Sequence, residues 1–568
     1  VTGVSVVQNS GQPGADAGTI IIRGTGTLND SSPLVIVDGF ESSFDKVDSK
    51  DIESISVLKD AASAAIYGNK AANGVILITT KSGKSGRTTV EYNGYVSVQQ
   101  VTRYPELLGS VDYMNLYNEA CVNSGLMPQF TEEYIAHFDG TDNAMYPSND
   151  WADFYFKPAI LHNHYIKFNG GGDKVAYSVS AGYLDQDGIV DGTDYSKFSF
   201  RANTNGKFFH DRLTVSTNIS GYYGLQNDLI YGAESTIGRI VKMTPMTYAK
   251  IEGVGWTDWF YDDAVLEAGG YKRNKVSNFN GNVKLNLKII EGLYIDAAFN
   301  FDQTIDLGTW YAPNVDVYKV ITSADGSQHI SINTSNESFI RESTYRHGNI
   351  SGFVTANFNR TFGHHTVTAL LGWQQSQWFG KYYQTERSRL TTNLPSLPMG
   401  DPASQKNSAW ASDVNNISYF GRVGYDYKSK YIAEANVRYD GSSKFAKGHK
   451  WGFFPSMSFG WRISEEGFMQ DVPALDELKI RASVGQLGNE KIWSSYAGID
   501  ILGIGNSNYI WENQQYTGAS TTYIANKDLT WETTTQYNVG VDVALFKSLT
   551  LTANFYVKRT DDILMQLP

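Results

Sequence analysis

The sequence predicts a mainly β protein, a transmembrane antiparallel β-barrel with a small N-terminal α/β unit, and three observations carry that prediction. First, apolar and polar residues alternate with period two from Arg87 onward. Val90, Tyr92, Gly94, Val96 and Val98 alternate with Glu91, Asn93, Tyr95, Ser97 and Gln99, and Phe279, Gly281, Val283, Leu285 and Leu287 alternate with Asn280, Asn282, Lys284, Asn286 and Lys288. Successive side chains of a strand point to opposite faces, so each such run has one apolar and one polar face. Second, the connections alternate. Short turns fall near 170–174, 208–212, 290–292, 361–365, 428–430, 470–477 and 546–548, and long polar or aromatic loops cover 102–162, 223–276, 303–348, 387–415 and 487–533. Short turns at one rim and long loops at the other describe an outer-membrane barrel. Third, aromatic residues gather near strand ends, as interfacial girdles do: Phe168, Phe208, Phe209, Phe358, Phe362, Tyr425, Tyr427 and Tyr431 beside short turns, and Tyr183, Tyr222, Tyr223, Trp373 and Tyr439 toward the other rim.

Composition agrees and excludes other classes. Gly 54, Tyr 36, Phe 28 and Trp 12 suit a sheet with one wet and one greasy face, and charged residues make up 19% against the usual share of about 25%. Mean hydropathy is -0.33, and no apolar run reaches the ~18 residues of a membrane-spanning helix, a test to which alternating strands are blind. The net charge of -12 argues against a nucleic-acid partner. A single cysteine, Cys121, rules out an internal disulfide and disfavours a thiolate metal site. The soluble alternative, an array of β-sandwiches, would show shorter loops and a domain-length repeat, and neither is present.

Residues 1–86 read differently. Thr19–Ile22 and Leu34–Val37 are short apolar runs ending at Gly24 and Gly39. Asp51–Lys81 reads as strand, short helix, strand, with Asp60 placed to cap the helix, Gly68 to end it and Asn73-Gly74 to turn the chain back. The expected division is therefore 1–86 as an α/β domain and 87–568 as the barrel. Seven short turns imply about fifteen strands, an odd count. A plugged barrel of ~22 strands would need roughly 220 residues more, so the expectation is a chain cut at both ends.

Several long strings resemble the SusC/RagA-like TonB-dependent outer-membrane transporters of the Bacteroidetes type: TIIIRGTGTLNDSSPLVIVDGF (19–40), DIESISVLKDAASAAIYGNKAANGVILITTKSGKSG (51–86), the stretch 419–469, LKIRASVGQLGNE (478–490) and LTWETTTQYNVGVD (529–542). The resemblance covers essentially the whole chain. It implies a 22-stranded barrel filled by the N-terminal domain as a plug, a surface lipoprotein of the SusD type as a lid, and energy from the TonB-ExbB-ExbD complex. It also implies a surrounding of outer-membrane lipid and lipopolysaccharide, and an oligosaccharide or peptide ligand. Against that resemblance, the family's signal sequence, any N-terminal extension, TonB box, start of the plug and last barrel strands are expected to lie outside these residues.

On that frame the polar face (Lys284, Asn286, Asp296, Asn300, Asn357, Asn359, Glu434, Asn436, Arg438) lines a hydrated lumen. The plug is then expected to be held by polar, rearrangeable contacts, for which Arg23, Asp38, Glu53, Lys59 and Asp60 are the candidates, with solvated surface charge or capping as the alternative for each. Loop aromatics that could stack on sugar rings or pack on peptide side chains are Trp151, Trp256, Trp259, Tyr261, Trp410, Trp493 and Trp511; loop packing and contact with the lid are their alternatives.

No enzyme chemistry, cofactor or metal is expected. Gly83-Lys84-Ser85 has Ile78 where a phosphate loop needs glycine, and Gly188 comes two positions early for an EF-hand around Asp185, Asp187, Asp191 and Asp194. His162 with His164 and His364-His365 lack clear companions for zinc, and no GxSxG elbow occurs. The expected function is TonB-dependent import of glycan oligosaccharides or peptides. A siderophore or cobalamin receptor is the alternative within transport, and a non-transporting surface adhesin the alternative outside it.

Overall fold

The computed structural model describes residues 2–8, 10–322, 328–333, 337–469, 472–492, 494–505 and 509–565. Fifteen strands form one sheet in which each strand pairs with the next, all antiparallel. In order these wall strands are Gly86–Gln99, Ala159–Gly171, Val175–Asp187, Asp194–Phe208, Leu213–Asp228, Tyr271–Ile290, Leu293–Ala312, Phe339–Phe362, His365–Ser388, Lys406–Tyr427, Tyr431–Ser442, Trp451–Arg462, Leu475–Asn489, Glu532–Leu545 and Leu549–Asp561. We number them first to fifteenth. The alternation sorts their faces. In the sixth, Phe279, Val283 and Leu285 are exposed on the outside while Asn278 is buried on the inside, as expected where the outer face meets lipid.

The turn side of the wall matches the expected short connections at six of seven places. Left-handed residues make three of the reversals, Phe209 to Asp211, Lys428 with Ser429, and Phe546 with Lys547, and Asp426 accepts from the Ser429 amide at 2.7 Å to steady one of them. The turn expected over 470–477 differs: the twelfth strand already ends at Arg462 and two 3-10 turns precede the thirteenth, while residues 470–471 lie outside the described residues.

The loop side departs further. The seventh and eighth strands stay paired to Ala312 and Phe339, where the sequence predicts loop over 303–348, and the tenth begins at Lys406 inside the predicted loop 387–415. The eighth and ninth have 24 residues each, whereas about 10 tilted residues cross a bilayer. Beyond the lipid both faces meet water, so the apolar period stops while the hydrogen-bond ladder continues. The predicted 487–533 loop likewise starts only after Asn489.

Inside the wall, residues up to Thr80 build a small α/β unit. Strand Val4–Val7 pairs with Thr19–Ile22. A four-stranded sheet runs Phe40–Glu41, Leu34–Val37, Val75–Thr80, Ile52–Leu58, with Leu34–Val37 parallel to Val75–Thr80. The helix Ala61–Ala64 and a 3-10 stretch Ala65–Lys70 pack on it through Leu34, Ile36, Ala61, Ala64, Ala71 and Val75, and Leu487 of the thirteenth wall strand completes that core. Alanine is required here by proximity: Gly485 of the wall sits so close that a Cβ added there would lie 3.0 Å from that of Ala61. Gly68, with φ 80, lets the chain turn out of the helix, and its bare face receives the Arg438 guanidinium. Lys50 lies over Tyr95 of the first wall strand at 4.8 Å, and Arg23 over Tyr556 of the fifteenth at 4.3 Å. The wall therefore wraps the unit from one edge strand to the other.

Candidate functional site

The inner unit is seated on the wall through buried polar groups. Asp51 ends a 3-10 turn that brings its carboxylate to the inner face of the wall. It accepts from Tyr165 Oη at 2.7 Å and from Ser180 Oγ at 2.9 Å, and Arg201 Nε lies 3.8 Å away. Arg201 also faces Asp38 at 3.6 Å. Asp38 has φ 50 and accepts from the amide and hydroxyl of Thr80 at 2.8 and 2.7 Å, while Asn203 donates to Thr80 Oγ1 at 3.1 Å and to the Lys81 carbonyl at 2.9 Å. Asp51, Arg201 and Tyr165 are all buried. A buried charge without partners would be costly, and this cluster gives each carboxylate several.

Around the rest of the circumference the same chemistry recurs. Lys46 pairs with Asp302 at 2.6 Å. Lys70 pairs with Glu41 at 2.7 Å within the inner unit, and Glu41 also accepts from Asn349 of the eighth strand at 3.4 Å; burial opposes the Lys70 charge, yet Glu41 and Glu490 outweigh it and hold the ammonium above the ordinary lysine range. Arg438 pairs with Asp440 at 2.7 Å and donates to the Ile66 carbonyl at 2.6 Å. Thr27 donates to Glu532, which also takes the Asn489 amide, and Lys491 reaches Asp30 at 2.9 Å. Apolar bridges also cross, among them Leu487 into the inner core and Phe40 on Phe353 at 5.8 Å. Such a seat is strong in sum and rearrangeable contact by contact.

The structure brings part of the predicted gating set into this seat. Asp38 is in it. Arg23 bonds Asp60 at 2.6 Å within the inner unit and touches the wall through Tyr556. Lys59 donates to the Thr2 carbonyl at 2.6 Å, again within the unit, and Glu53 is exposed and in no hydrogen bond or ion pair with any described residue. Asp60 occupies the N-cap position without capping, because Arg23 holds its carboxylate. The Ala61 amide bonds Gln536 Oε1 of the wall instead, at 3.1 Å. Sequence reasoning missed Asp51, Tyr165, Arg201 and Gln536. The one available signal was Arg201, a long cation between Ser199 and Asn203 on a polar strand face.

The aromatic candidates separate into two groups. Trp151 and Tyr261 are buried in the loop unit formed by the helices Trp151–Tyr155, Ala233–Ile240 and Tyr261–Glu267, and the Trp151 indole donates to the Thr244 carbonyl at 2.9 Å. Trp256 is half-buried, its indole bonded to Glu267 at 2.5 Å. Trp259 and Trp511 are exposed, on the loop side. Trp493 lies outside the described residues. Trp410 is not in a loop: it sits in the tenth wall strand, on the inner face, 5.9 Å from Tyr382 and 5.3 Å from Tyr345. Tyr345 stacks on His347 at 4.4 Å, and His347 faces Asp306 at 3.3 Å. Trp410 is 48% exposed, so one ring face is open toward the lumen above the inner unit. Among the described residues no group of three His, Cys, Asp or Glu could hold a metal.

A long-stranded wall with an apolar outside, a polar inside and a polar-seated α/β unit within it defines a plugged membrane barrel. Residues 247–568 match the TonB dependent receptor-like, beta-barrel family and residues 1–75 the TonB-dependent Receptor Plug Domain. The chain belongs to the TonB-dependent receptor family, and it is an integral β-barrel protein of the bacterial outer membrane. It is 29% identical over 596 residues to the TonB-dependent receptor SusC of Bacteroides thetaiotaomicron, covering 99% of this chain and 57% of that one. It is 30% identical over 583 residues to the TonB-dependent receptor P26 of Formosa agariphila, covering 100% of this chain and 56% of that one. The chain thus spans just over half the length of these curated relatives. Among solved structures, the RagAB peptide transporter superposes with a TM-score of 0.85 at 24% identity, covering 100% of this chain and 66% of that one. The siderophore receptor PirA from Acinetobacter baumannii superposes with 0.53 at 14% identity, covering 98% and 66%.

Proposed function

We propose that this chain is the plug and wall portion of a TonB-dependent importer of nutrient oligomers, glycan oligosaccharides or peptides, and that it performs no covalent chemistry. In this reading residues 1–86 are the plug and 87–568 the wall. A SusD-like surface lipoprotein closes the loop side and the TonB-ExbB-ExbD complex pulls the plug from the other. The observation that carries it is the seat itself: the plug is held by ion pairs and hydrogen bonds such as Asp51 to Tyr165 and Lys46 to Asp302, which a mechanical pull can break singly and water can replace. An apolar seat would resist stepwise release. Arg23, Asp38, Lys59 and Asp60 tie the plug internally and to the wall, and Glu53 adds surface charge. The open face of Trp410, with Tyr345 and Tyr382, offers a stacking surface on the route above the plug, and Trp259 and Trp511 offer others at the rim.

Likeness to the relative named SusC and to the RagAB fold supports a nutrient oligomer over a siderophore, for which the superposition is much poorer. The test is uptake of a labelled oligosaccharide library and a labelled peptide library by cells making the full-length protein. Energy-dependent accumulation that disappears when TonB is deleted is the expected result. Accumulation that is indifferent to TonB, or of ferric siderophores alone, would sink the reading.

A further inference from the structure

The outer wall carries two cations that the transport reading does not use. Arg346 of the eighth strand and Lys381 of the ninth are directly opposite each other, both exposed and both on the outward face, since they share the face of Val354 and Trp373. Like charges in that position repel. Neither makes an ion pair with any described residue. Arg346 donates to Gln303 Oε1 at 3.0 and 2.8 Å and lies over Phe379 at 5.9 Å, and Lys381 lies over Tyr383 at 5.1 Å. Asp413, outward opposite Phe379, accepts from Gln377 at 3.2 Å and stands in no ion pair with any described residue.

Toward the short-turn side from this pair lies a groove of about 430 Å³ on the same outer face, lined by Val283, Leu285, Phe299, Ile350, Val354 and Trp373, with Gln375 and Gln377 at its edge. Ile350 is opposite Gln377, and Arg346 is four residues farther along the strand toward the long loops, about 13 Å at the rise of an extended chain. Cations, amides and apolar groove therefore follow one another down the wall in the order in which a lipid presents phosphate, sugar or glycerol polar groups and acyl chain. Another outward groove, beside Val423, Tyr425, Met457 and Phe459, lies below the stacked rings of Tyr419, Tyr439 and Trp451 and has no such pair.

We propose that Arg346 and Lys381, with Gln375 and Gln377, bind the phosphorylated headgroup of an outer-leaflet lipid whose acyl chain lies in the groove over the sixth to ninth wall strands. The phosphate removes the repulsion between the two cations, and charge-assisted hydrogen bonds hold it there. The site rests on the outer-membrane placement of the barrel and is independent of the cargo.

The test uses the full-length protein in phosphatidylcholine nanodiscs, titrated with an acylated, bis-phosphorylated glucosamine disaccharide or with the same glycolipid stripped of its phosphates, and read by native mass spectrometry. The phosphorylated form should be held about tenfold more tightly, and the preference should vanish in the Arg346→Ala/Lys381→Ala double variant and survive in Arg346→Lys. Ala297→Phe, which fills the groove, should weaken both lipids and leave the preference intact. Equal affinity for the two lipids, a preference that survives the double variant, or inorganic phosphate binding as tightly as the lipid would each overturn the site. Uptake assays read the transport function separately, so the two readings fail independently.

Discussion

Arg23 holds Asp60 at 2.6 Å and so takes away the carboxylate that stands at the N-cap of the helix Ala61–Ala64. The wall supplies the missing acceptor through Gln536. One amide of the plug helix's first turn is thus satisfied by the barrel that surrounds it, and only when the plug is seated.

Replacing Gln536 by leucine leaves the Ala61 amide buried without a partner, at a cost of about 1–3 kcal/mol. The expected outcome is faster hydrogen exchange across Ala61–Ala64 in the full-length protein, with wall amides unaffected. Unchanged protection would show that the cap is dispensable.

Asp51→Ala removes the acceptor of Tyr165 and Ser180 and leaves Arg201 with Asp38 alone. Loss of one partner from a buried charged cluster costs about 3 kcal/mol, at the low end of the usual range because Arg201 stands off by 3.8 Å. Asp51→Asn keeps an acceptor and should lose less. Plug release, read as detergent-dependent protease cleavage within residues 1–86, should rank alanine above asparagine above the parent chain, and any other order contradicts the seat.

Trp410 and Trp151 should behave oppositely. Trp410→Ala, at a half-exposed position, should weaken ligand binding by roughly 1 kcal/mol and leave thermal stability unchanged. Trp151→Ala empties a packed core and should cost about 3–5 kcal/mol of loop-unit stability. Calorimetric binding and unfolding measured on both variants separate the two roles.

Asp262 and Asp263 predict the pH response of the loop unit. Burial raises both carboxyls, offset at Asp262 by the Tyr231 amide and by Arg239 at 2.5 Å, and at Asp263 by the Tyr155 hydroxyl. With folded-state values above the unfolded ones, the folded loop binds more protons, so its stability falls as pH rises from the unfolded carboxylate range near 3.8 through the raised folded values. Protection factors of residues 233–240 and 261–267, taken against the intrinsic exchange rate at each pH, should rise on acidification across that window in the parent and lose that dependence in Asp262→Asn/Asp263→Asn. Protection that instead falls with acid would reverse the assignment.

The sequence by itself determined the wall. Period two, the short-turn side and the count of about fifteen strands all appear in the structure, because lipid on one side and water on the other impose a face on every residue of a spanning strand. The helical insert with Gly68 and Gly74 was legible for a similar local reason: φ values of 80 and 89 favour glycine whatever surrounds them. Strand ends on the loop side were not legible, since above the bilayer both faces are wet and only pairing with a neighbour keeps Trp410 in a strand. The seat was legible in kind, as polar contacts, but not in identity. Whether a given carboxylate caps its own helix, as Asp60 could, or crosses to the wall, as Asp51 does, depends on which side chains arrive from strands hundreds of residues away. Only the tertiary structure brings Gln536 to Ala61 and Arg201 to Asp51, because buried polar groups must find partners, and the partners here stand on a different part of the chain.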